Sequence, residues 1–397
     1  MLSLLSEKVQ QFIHQHANDD ERELVLKYKE VDGVPLARIA EQIAGRRKAK
    51  DKLPTFYSTS GILYPPSLNL EQSSSEQTAA FKTRIIEEES IGKETAVDLT
   101  GGFGVDVYFL SRIFRKVEYI EPDESLLQIV QHNHKTLRGY NISHHHTKAE
   151  NFLESSWKAD LVFIDPSRRN KGQKVFKLSD CEPDVTALYK NIFEKTEHLL
   201  IKTSPLLDIQ QALRELPTVY KVYVLSVANE CKELLFLCKR MVHGEPEIVT
   251  VNILSTHIER FSFTKVQEQQ AAVDYSSPLA YLYEPNTSLL KAGAFRIVGS
   301  SYGLSKIDVS THLYTSAEYR SDFPGRIFQV EALVKNDPKV IQTYFPEGKA
   351  NVMTRNYPLS AEELKKKAKL KDGGNKFLIG FSGPKEKFLA VARRVLV

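Results

Sequence analysis

Apolar residues recur along this chain in two rhythms, and the change from one to the other divides it. Near the start, Leu5, Val9, Phe12 and Ile13 fall on one face of a helix, and Leu36, Ile39, Ala40 and Ile43 on another. That spacing predicts a small helical unit. The polar stretch "NLEQSSSEQTAAFK", Asn69 to Lys82, reads as the join between this unit and the next. Beyond it, short apolar runs of strand length alternate with segments of helical period. "TAVDL", "KVEYIE", "ADLVFID" and "HLLIK" read as strands, while "DVYFLSRIF", "DESLLQIVQHNHKTL" and "DVTALYKNIFEKT" read as helices. "YKVYVLSV" and "KELLFLCKR", joined by "ANEC", close the series as an antiparallel hairpin expected at the sheet edge. Such alternation predicts an α/β fold built on a doubly wound parallel sheet, in which ligands sit beyond the carboxyl ends of the strands.

Composition narrows the class of protein. A chain of 397 residues, 42% of them hydrophobic, has enough material for two or three domains with real cores. It contains no run of 18 apolar residues, and the opening "MLSLLSEKVQQFIHQH" turns polar too early for a secretory signal, so a cytoplasmic location without membrane attachment is expected. Cys181, Cys231 and Cys238 are too few and too irregularly spaced for a disulfide framework or zinc knuckle and read as reduced thiols. The net charge of +4 is slight, so an anionic partner must be met by local patches. Two basic runs qualify: Arg46 to Lys52, with five basic residues against Asp51, and Lys365 to Lys371, at the end of a segment whose early carboxylates and late lysines suit a capped helix. Either run can also be a solvated helix face. His144 to His146 lie on an extended segment, where neighbours point to opposite faces, and no carboxylate or cysteine spacing accompanies them, so no metal site is expected. Trp157 and the C-terminal tyrosines read as packing residues.

The chemistry concentrates around "AVDLTGGFGVDVYFL", Ala96 to Leu110. A strand ending in Asp98, a turn holding Gly101, Gly102 and Gly104, and a following helix let a ligand approach the backbone closely, because glycine has no Cβ and admits positive φ. A P-loop would require Gly-Lys-Ser/Thr where this chain has Gly104-Val105-Asp106. The dinucleotide fingerprint is broken by Val107 in its last glycine position. Asp98 and Asp106 flank the turn, a poor setting for pyrophosphate and a good one for an ammonium or sulfonium. Glu121, one βα unit later, can accept hydrogen bonds from both hydroxyls of a ribose, which suits NAD and S-adenosylmethionine alike. The strand "ADLVFID" discriminates. Asp165-Pro166-Ser167-Arg168 ends "ADLVFID" across from the glycine turn, where an Asp side chain and a carbonyl beside a rigid proline can hold a substrate amine toward an electrophilic methyl.

"VDLTGGFGVD", "YIEPD" and "IDPSRR" together resemble the class I S-adenosylmethionine-dependent methyltransferases, and Asp-Pro-Ser looks like a variant of their Asp/Asn-Pro-Pro motif, over roughly Glu76 to Met241. "EQSSSEQTAAFK", "IKTSPLLDI", "YLYEPNTSLLKAGAF", "THLYTS", "FPGRIF" and "ANVMTRNYPLSAEELKKKAKLKDGGNKFLIG" extend a likeness over nearly the whole chain, to a bacterial methyltransferase family with a small ferredoxin-like segment and a terminal THUMP-like domain. The resemblance implies a Rossmann-like methyltransferase sheet with an N-terminal helical unit and a C-terminal α+β accessory region. In residues, the implied division is 1–75 helical, 76–245 methyltransferase, 246–330 connecting and ferredoxin-like, and 331–397 THUMP-like. It implies S-adenosyl-L-methionine as cofactor, held by Asp98, Thr100, Gly101, Gly102, Gly104, Asp106, Glu121 and Pro122, with Glu150 near the adenine. Asp165, Pro166, Ser167 and Arg168 become the catalytic edge. Because THUMP domains are associated with RNA, RNA is the implied substrate, with a base nitrogen as acceptor.

Three departures from the wider pattern qualify that expectation. Amino-group methyltransferases place an aromatic ring after Asp/Asn-Pro-Pro, whereas this chain has Arg168 and then Arg169, whose flat guanidinium groups can stack on a base or hold a phosphate. The Asp-Pro-x-Arg form is similar to that of RNA uridine C5 methyltransferases, but Lys202, Thr203, Ser204 and Pro205 supply no thiol for their covalent mechanism. Lys148 occupies the usual slot of the adenine-side acid, leaving Glu150 as the substitute. Lys202 itself reads equally as a substrate contact or a solvated lysine. The competing readings are a methyltransferase of a protein or small-molecule acceptor, and a non-catalytic RNA-binding protein of methyltransferase fold.

Overall fold

The computed structural model describes residues 2–168, 177–242 and 244–395, and the side chains of Leu2 and Arg168 are outside that description. The chain forms two compact units, Met1–Tyr220 with Leu234–His243, and Lys221–Glu233 with Gly244–Val397.

The first unit begins with the helices α1 (Glu7–Gln15), α2 (Glu21–Lys27) and α3 (Leu36–Lys52), followed by short helices at Pro54–Ser58 and Ser67–Gln72. The side chain of Ser6 caps α1 and that of Asp20 caps α2, each accepting from backbone N–H groups of the first turn. The apolar face predicted from the sequence is buried: Val9, Ile13, Leu36, Ile39 and Ile43 share one cluster with Leu24 and Leu63. Next comes α4 (Glu76–Glu88), whose N-cap is Ser75.

The sheet of this unit is built from β1 (Thr95–Asp98), α5 (Val105–Leu110), β2 (Lys116–Glu121), α6 (Glu124–Thr136), β3 (Ile142–His146), α7 (Ala149–Glu154) and β4 (Ala159–Ile164). It continues through α8 (Val185–Lys195), β5 (Thr196–Thr203) and α9 (Ile209–Glu215). The order β3-β2-β1-β4-β5 is parallel throughout. It reverses direction across β1, which puts the ends of β1 and β4 side by side at the switch point where such sheets bind ligands. The predicted helix after the glycine turn stops at Leu110 rather than Phe114, where Arg112 and Ile113 bond back by only three residues and tighten the chain into turns.

The expected edge hairpin is corrected. Strands β6 (Val219–Val227) and β7 (Glu230–Lys239) turn through Ala228 and Asn229, both with positive φ, but neither lies at a sheet edge. β7 pairs antiparallel with β5 through Leu234–Lys239. In the second unit β6 pairs in parallel with β8 (Glu247–Ile253), which in turn pairs antiparallel with β9 (Ile258–Phe263). Backbone groups that would have been left open on β6 are thus taken up by a strand added later in the chain.

The second unit also holds β10 (Tyr281–Pro285), α10 (Thr287–Ala292), α11 (Arg296–Tyr302), β11 (Tyr314–Ser316), β12 (Gly325–Leu333), α12 (Pro338–Tyr344), β13 (Asn351–Arg355), α13 (Ala361–Ala368), β14 (Lys376–Ser382) and β15 (Lys387–Val395). Its sheet runs in the order β11-β10-β12-β15-β14-β13, with the short strand Ser305–Lys306 outside β11. Strand alternation divides the core: Ile379 and Ala390 pack on one face with Leu282 and Phe328, and Leu378 and Val391 pack on the other with Ile341 and Leu364 of α12 and α13.

Candidate active site

Backbone sterics fix the loop after β1. Gly102 and Gly104 have φ of +53° and +73°, a region that favours glycine. A Cβ on Gly101 would lie 2.2 Å from the Tyr119 ring, and one on Gly104 would lie 2.6 Å from Val130 and 2.7 Å from His134. On Gly102 it would meet nothing nearer than the Thr100 carbonyl oxygen, at 3.6 Å. Gly101 and Gly104 are therefore set by packing against β2 and α6, and Gly102 is the open point of the loop. Hydrogen bonds hold it there: Gly101 N–H donates to the Ile120 carbonyl (2.9 Å), Gly102 N–H to Glu121 Oε2 (3.0 Å), and the Tyr119 hydroxyl to the Gly102 carbonyl (2.7 Å). His134 Nε2 lies 2.9 Å from the Gly104 carbonyl, and burial pushes this imidazole down to about 3, so it stays neutral and donates.

Three aspartates and two lysines converge at the strand ends. Asp98, 1% exposed at the end of β1, accepts from the Thr100 N–H (2.8 Å) and hydroxyl (3.2 Å). Burial pushes its carboxyl up to about 8, with Asp106 and Asp165 adding to the rise and Thr100 opposing it. Asp106 is bound to Lys82 Nζ of α4 (2.9 Å) and to the Ser74 hydroxyl (2.6 Å). Burial works to raise its carboxyl, but the charges of Lys82 and Lys202 and the Ser74 hydroxyl outweigh it and hold the group below the usual range. Asp165 follows β4. Its N–H donates to Thr100 Oγ1 (2.6 Å), and its Oδ2 is paired with the ammonium of Lys202 near the end of β5. A continuous chain of contacts therefore runs Asp98–Thr100–Asp165–Lys202 across the three adjacent strand ends of β1, β4 and β5.

Glu121 ends β2 at 8% exposure. Its Oε1 accepts from Asp123 N–H (2.8 Å) and its Oε2 from Gly102 N–H, and burial raises its carboxyl despite those two donors. Each oxygen keeps lone-pair capacity for a further hydroxyl. The Pro122 carbonyl is engaged by His146 Nε2 at 3.0 Å. Ser167 and Arg168 form a two-residue ribbon with Cys181 and Glu182, in which the Ser167 hydroxyl donates to the Glu182 carbonyl (3.3 Å). The side chain of Arg168, and all of Arg169, lie outside the described residues. Lys148 is the N-cap position of α7, and Glu150 is exposed in its first turn.

The structure unites Asp98, Thr100, the three glycines, Glu121 and Asp165 about one loop. Neither Lys82 nor Ser74 is legible as a site residue from sequence, and Lys202 reads equally as a substrate contact or a solvated lysine. The signal available for Lys82 was its place on the helical stripe of α4, one turn after Thr78 and Ala79, where a lysine facing inward requires a partner. The three histidines of β3 take three different partners: His144 faces His134 (2.9 Å), His145 faces Glu118 (2.6 Å) and His146 faces the Pro122 carbonyl. Among the described residues no group of His, Cys, Asp or Glu is arranged to hold a metal ion, and no helix is long and apolar enough to cross a membrane. The three cysteines are unbridged, and Trp157 donates to the Phe152 carbonyl (3.0 Å) and packs on that ring.

The two basic runs differ. Arg46 donates to the Tyr57 carbonyl (3.0 Å), Arg47 to the carbonyls of Ala17 and Asp19, and Lys52 to those of Leu70 and Glu71, while Lys48 pairs with Glu71. The first run therefore fastens α3 to its neighbours. In the second, Lys365 pairs with Glu362 and Asp372, and Lys366, Lys367, Lys369 and Lys371 are exposed.

This arrangement of loop, acidic strand ends and Asp-Pro turn defines a class I methyltransferase fold, and comparison with known proteins agrees. The chain is 30% identical to a protein whose crystal structure is described as a "putative methyltransferase from Porphyromonas gingivalis W83", over 98% of both chains, with a TM-score of 0.86. It belongs to that family, the class I methyltransferases with a C-terminal THUMP-like domain. A ferredoxin-like family profile matches residues 281–324 and a THUMP domain-like profile residues 325–394. Weaker similarity links it to a "putative RNA methyltransferase" from Pyrococcus horikoshii (16% identity, 39% of this chain and 74% of that one, TM-score 0.29). A "putative methyltransferase" from Streptococcus mutans in complex with SAH scores comparably (15%, 40% and 97%, 0.28). Scores this low carry no weight for the chemistry of this chain. A search of curated protein sequences returns no match.

Proposed function

We propose that this protein is an S-adenosylmethionine-dependent methyltransferase that modifies a base nitrogen of RNA. The observation that carries the reading is the hydrogen bond from Asp165 N–H to Thr100 Oγ1, which fixes the Asp-Pro turn against the glycine loop. The residues present suit the cofactor. The open backbone at Gly102 admits a close approach, the Glu121 carboxylate can accept two ribose hydroxyls, and buried Asp98 would gain a partner in an ammonium group. Bound there, the cofactor supplies a methyl group already activated by a positively charged sulfur, so the protein's part is positioning and exclusion of water. Asp165 Oδ1 and the Pro166 carbonyl accept hydrogen bonds from the acceptor's N–H and aim its lone pair.

RNA as substrate is supported by the THUMP-like match over residues 325–394 and by the exposed lysines of α13 and the turn after it. Mass spectrometry of RNA nucleosides from cells with and without this protein tests the reading. One methylated nucleoside should vanish with the protein and return with the wild type but not with Asp165→Ala. An unchanged nucleoside profile, with methyl label entering protein or a small molecule in extracts, sinks the RNA assignment.

A further inference from the structure

Lys202 is the penultimate residue of β5, adjacent and parallel to β4, and it is 8% exposed. Its ammonium meets Asp165 Oδ2 and lies close enough to Asp106 to lower that carboxyl. Asp165 is thereby pinned twice, by Thr100 at its backbone nitrogen and by Lys202 at one carboxylate oxygen. The second consequence is electrostatic. Among the described residues around the glycine loop, Asp106 is matched by Lys82 and Asp165 by Lys202, while Asp98 is buried and Glu121 is held by the backbone N–H groups of Gly102 and Asp123. A site built to draw in an alkylammonium, such as a lysine side chain, would leave a carboxylate uncompensated where the acceptor docks, because attraction in a partly desolvated cleft is several times that in water. Here that carboxylate already has its cation.

We infer that Lys202 is a positioning and specificity residue: it neutralises and orients Asp165 so that the acceptor site takes an uncharged nitrogen, as on a nucleobase, and disfavours a cationic amine. The inference rests on the methyltransferase reading above and assigns the residue that sets its acceptor class.

Two cofactor analogues test it without knowledge of the acceptor. Sinefungin carries an ammonium-bearing carbon where S-adenosylhomocysteine has a neutral thioether, and the two are otherwise closely alike. Calorimetry of both on the full chain at pH 7 gives the ratio of their Kd values. The wild type should bind them within about threefold of each other. Lys202→Met leaves Asp165 uncompensated and should favour sinefungin by about tenfold or more, and Lys202→Arg should keep the wild-type ratio. Asp165→Asn leaves the lysine uncompensated and should move the ratio about tenfold the other way, an independent arm should Lys202→Met fail to fold. Joining Lys202→Met to Asp165→Asn should restore near equality. A ratio that ignores these substitutions, or a wild type that already prefers sinefungin tenfold, overturns the role of Lys202 while leaving the cofactor reading standing. Binding of neither compound by the wild type overturns that reading and this inference with it.

Discussion

Lys82 and Lys202 each meet an aspartate at the same end of one sheet, yet their surroundings differ. The side chains of Lys82 and Asp106 are 2% and 11% exposed, and the Ser74 hydroxyl bonds to both, donating to Asp106 and accepting from Lys82. Those of Lys202 and Asp165 are 10% and 30% exposed, and the aspartate follows β4 with its N–H on Thr100. The first pair is largely buried and ties α4 to the first turn of α5. In the second, the carboxylate keeps contact with solvent. Chemically identical pairs thus differ in how much water can reach them.

The contrast breaks most readily at Lys82. Lys82→Met strands Asp106 in a buried site and should cost about 3–5 kcal/mol of stability in urea denaturation, against about 1 kcal/mol for Lys202→Met, whose partner can turn to water. Equal losses would erase the distinction. Next in size, Asp165→Ala should cut methyl transfer about 100-fold with little change in acceptor affinity, on the scale of a lost positioning contact. Near-wild-type turnover would move the chemistry elsewhere.

Asp98 sharpens the same contrast, since it sits beside both pairs without an ion-pair partner of its own among the described residues. Burial raises it to about 8, so in the free protein it holds a proton below that pH. A ligand cation beside it favours the carboxylate, so cofactor binding below pH 8 should release up to one proton. Affinity should rise as pH increases toward 8 and level off above it. Calorimetry at pH 7 in buffers of different ionisation enthalpy counts that proton, and Asp98→Asn should abolish it. The smallest effect is expected where lysines are fully exposed. Replacing Lys366, Lys367 and Lys369 by Gln should leave stability within about 0.5 kcal/mol. If each touches an RNA phosphate, the slope of log affinity against log salt should flatten by about 0.7–0.9 per lysine. An unchanged slope assigns them to a solvated face.

Much of the site was legible from sequence because its parts are local. Three glycines within four residues, between a strand ending in acid and a helix, announce a tight turn with close backbone approach, and Gly102 and Gly104 do take positive φ. Glu121 and Asp165 were legible as strand-end acids. Arg46 to Lys52 was not: read as a charged patch, it proves to be a set of hydrogen bonds to carbonyls up to 30 residues away, because a long basic side chain serves a neighbouring helix end as well as a phosphate. The hairpin of β6 and β7 was legible as a pair, but its place in the sheet was not, because a strand's second neighbour leaves no mark on its own hydrophobic run.

By itself the sequence determined the alternation of strands and helices around the glycine loop, the loop itself and the acids at the strand ends, since periodicity and backbone sterics act over a few residues. The tertiary structure alone decided which charges meet. Asp165 reaches Thr100 across 65 residues and Lys202 across 37, and Ser74 reaches Asp106 across 32. At those separations a lysine in the sequence has no fixed partner. Only the packing of α4 against α5, and of β5 beside β4, determines whether its charge is buried against Asp106, pairs with Asp165 or faces the solvent.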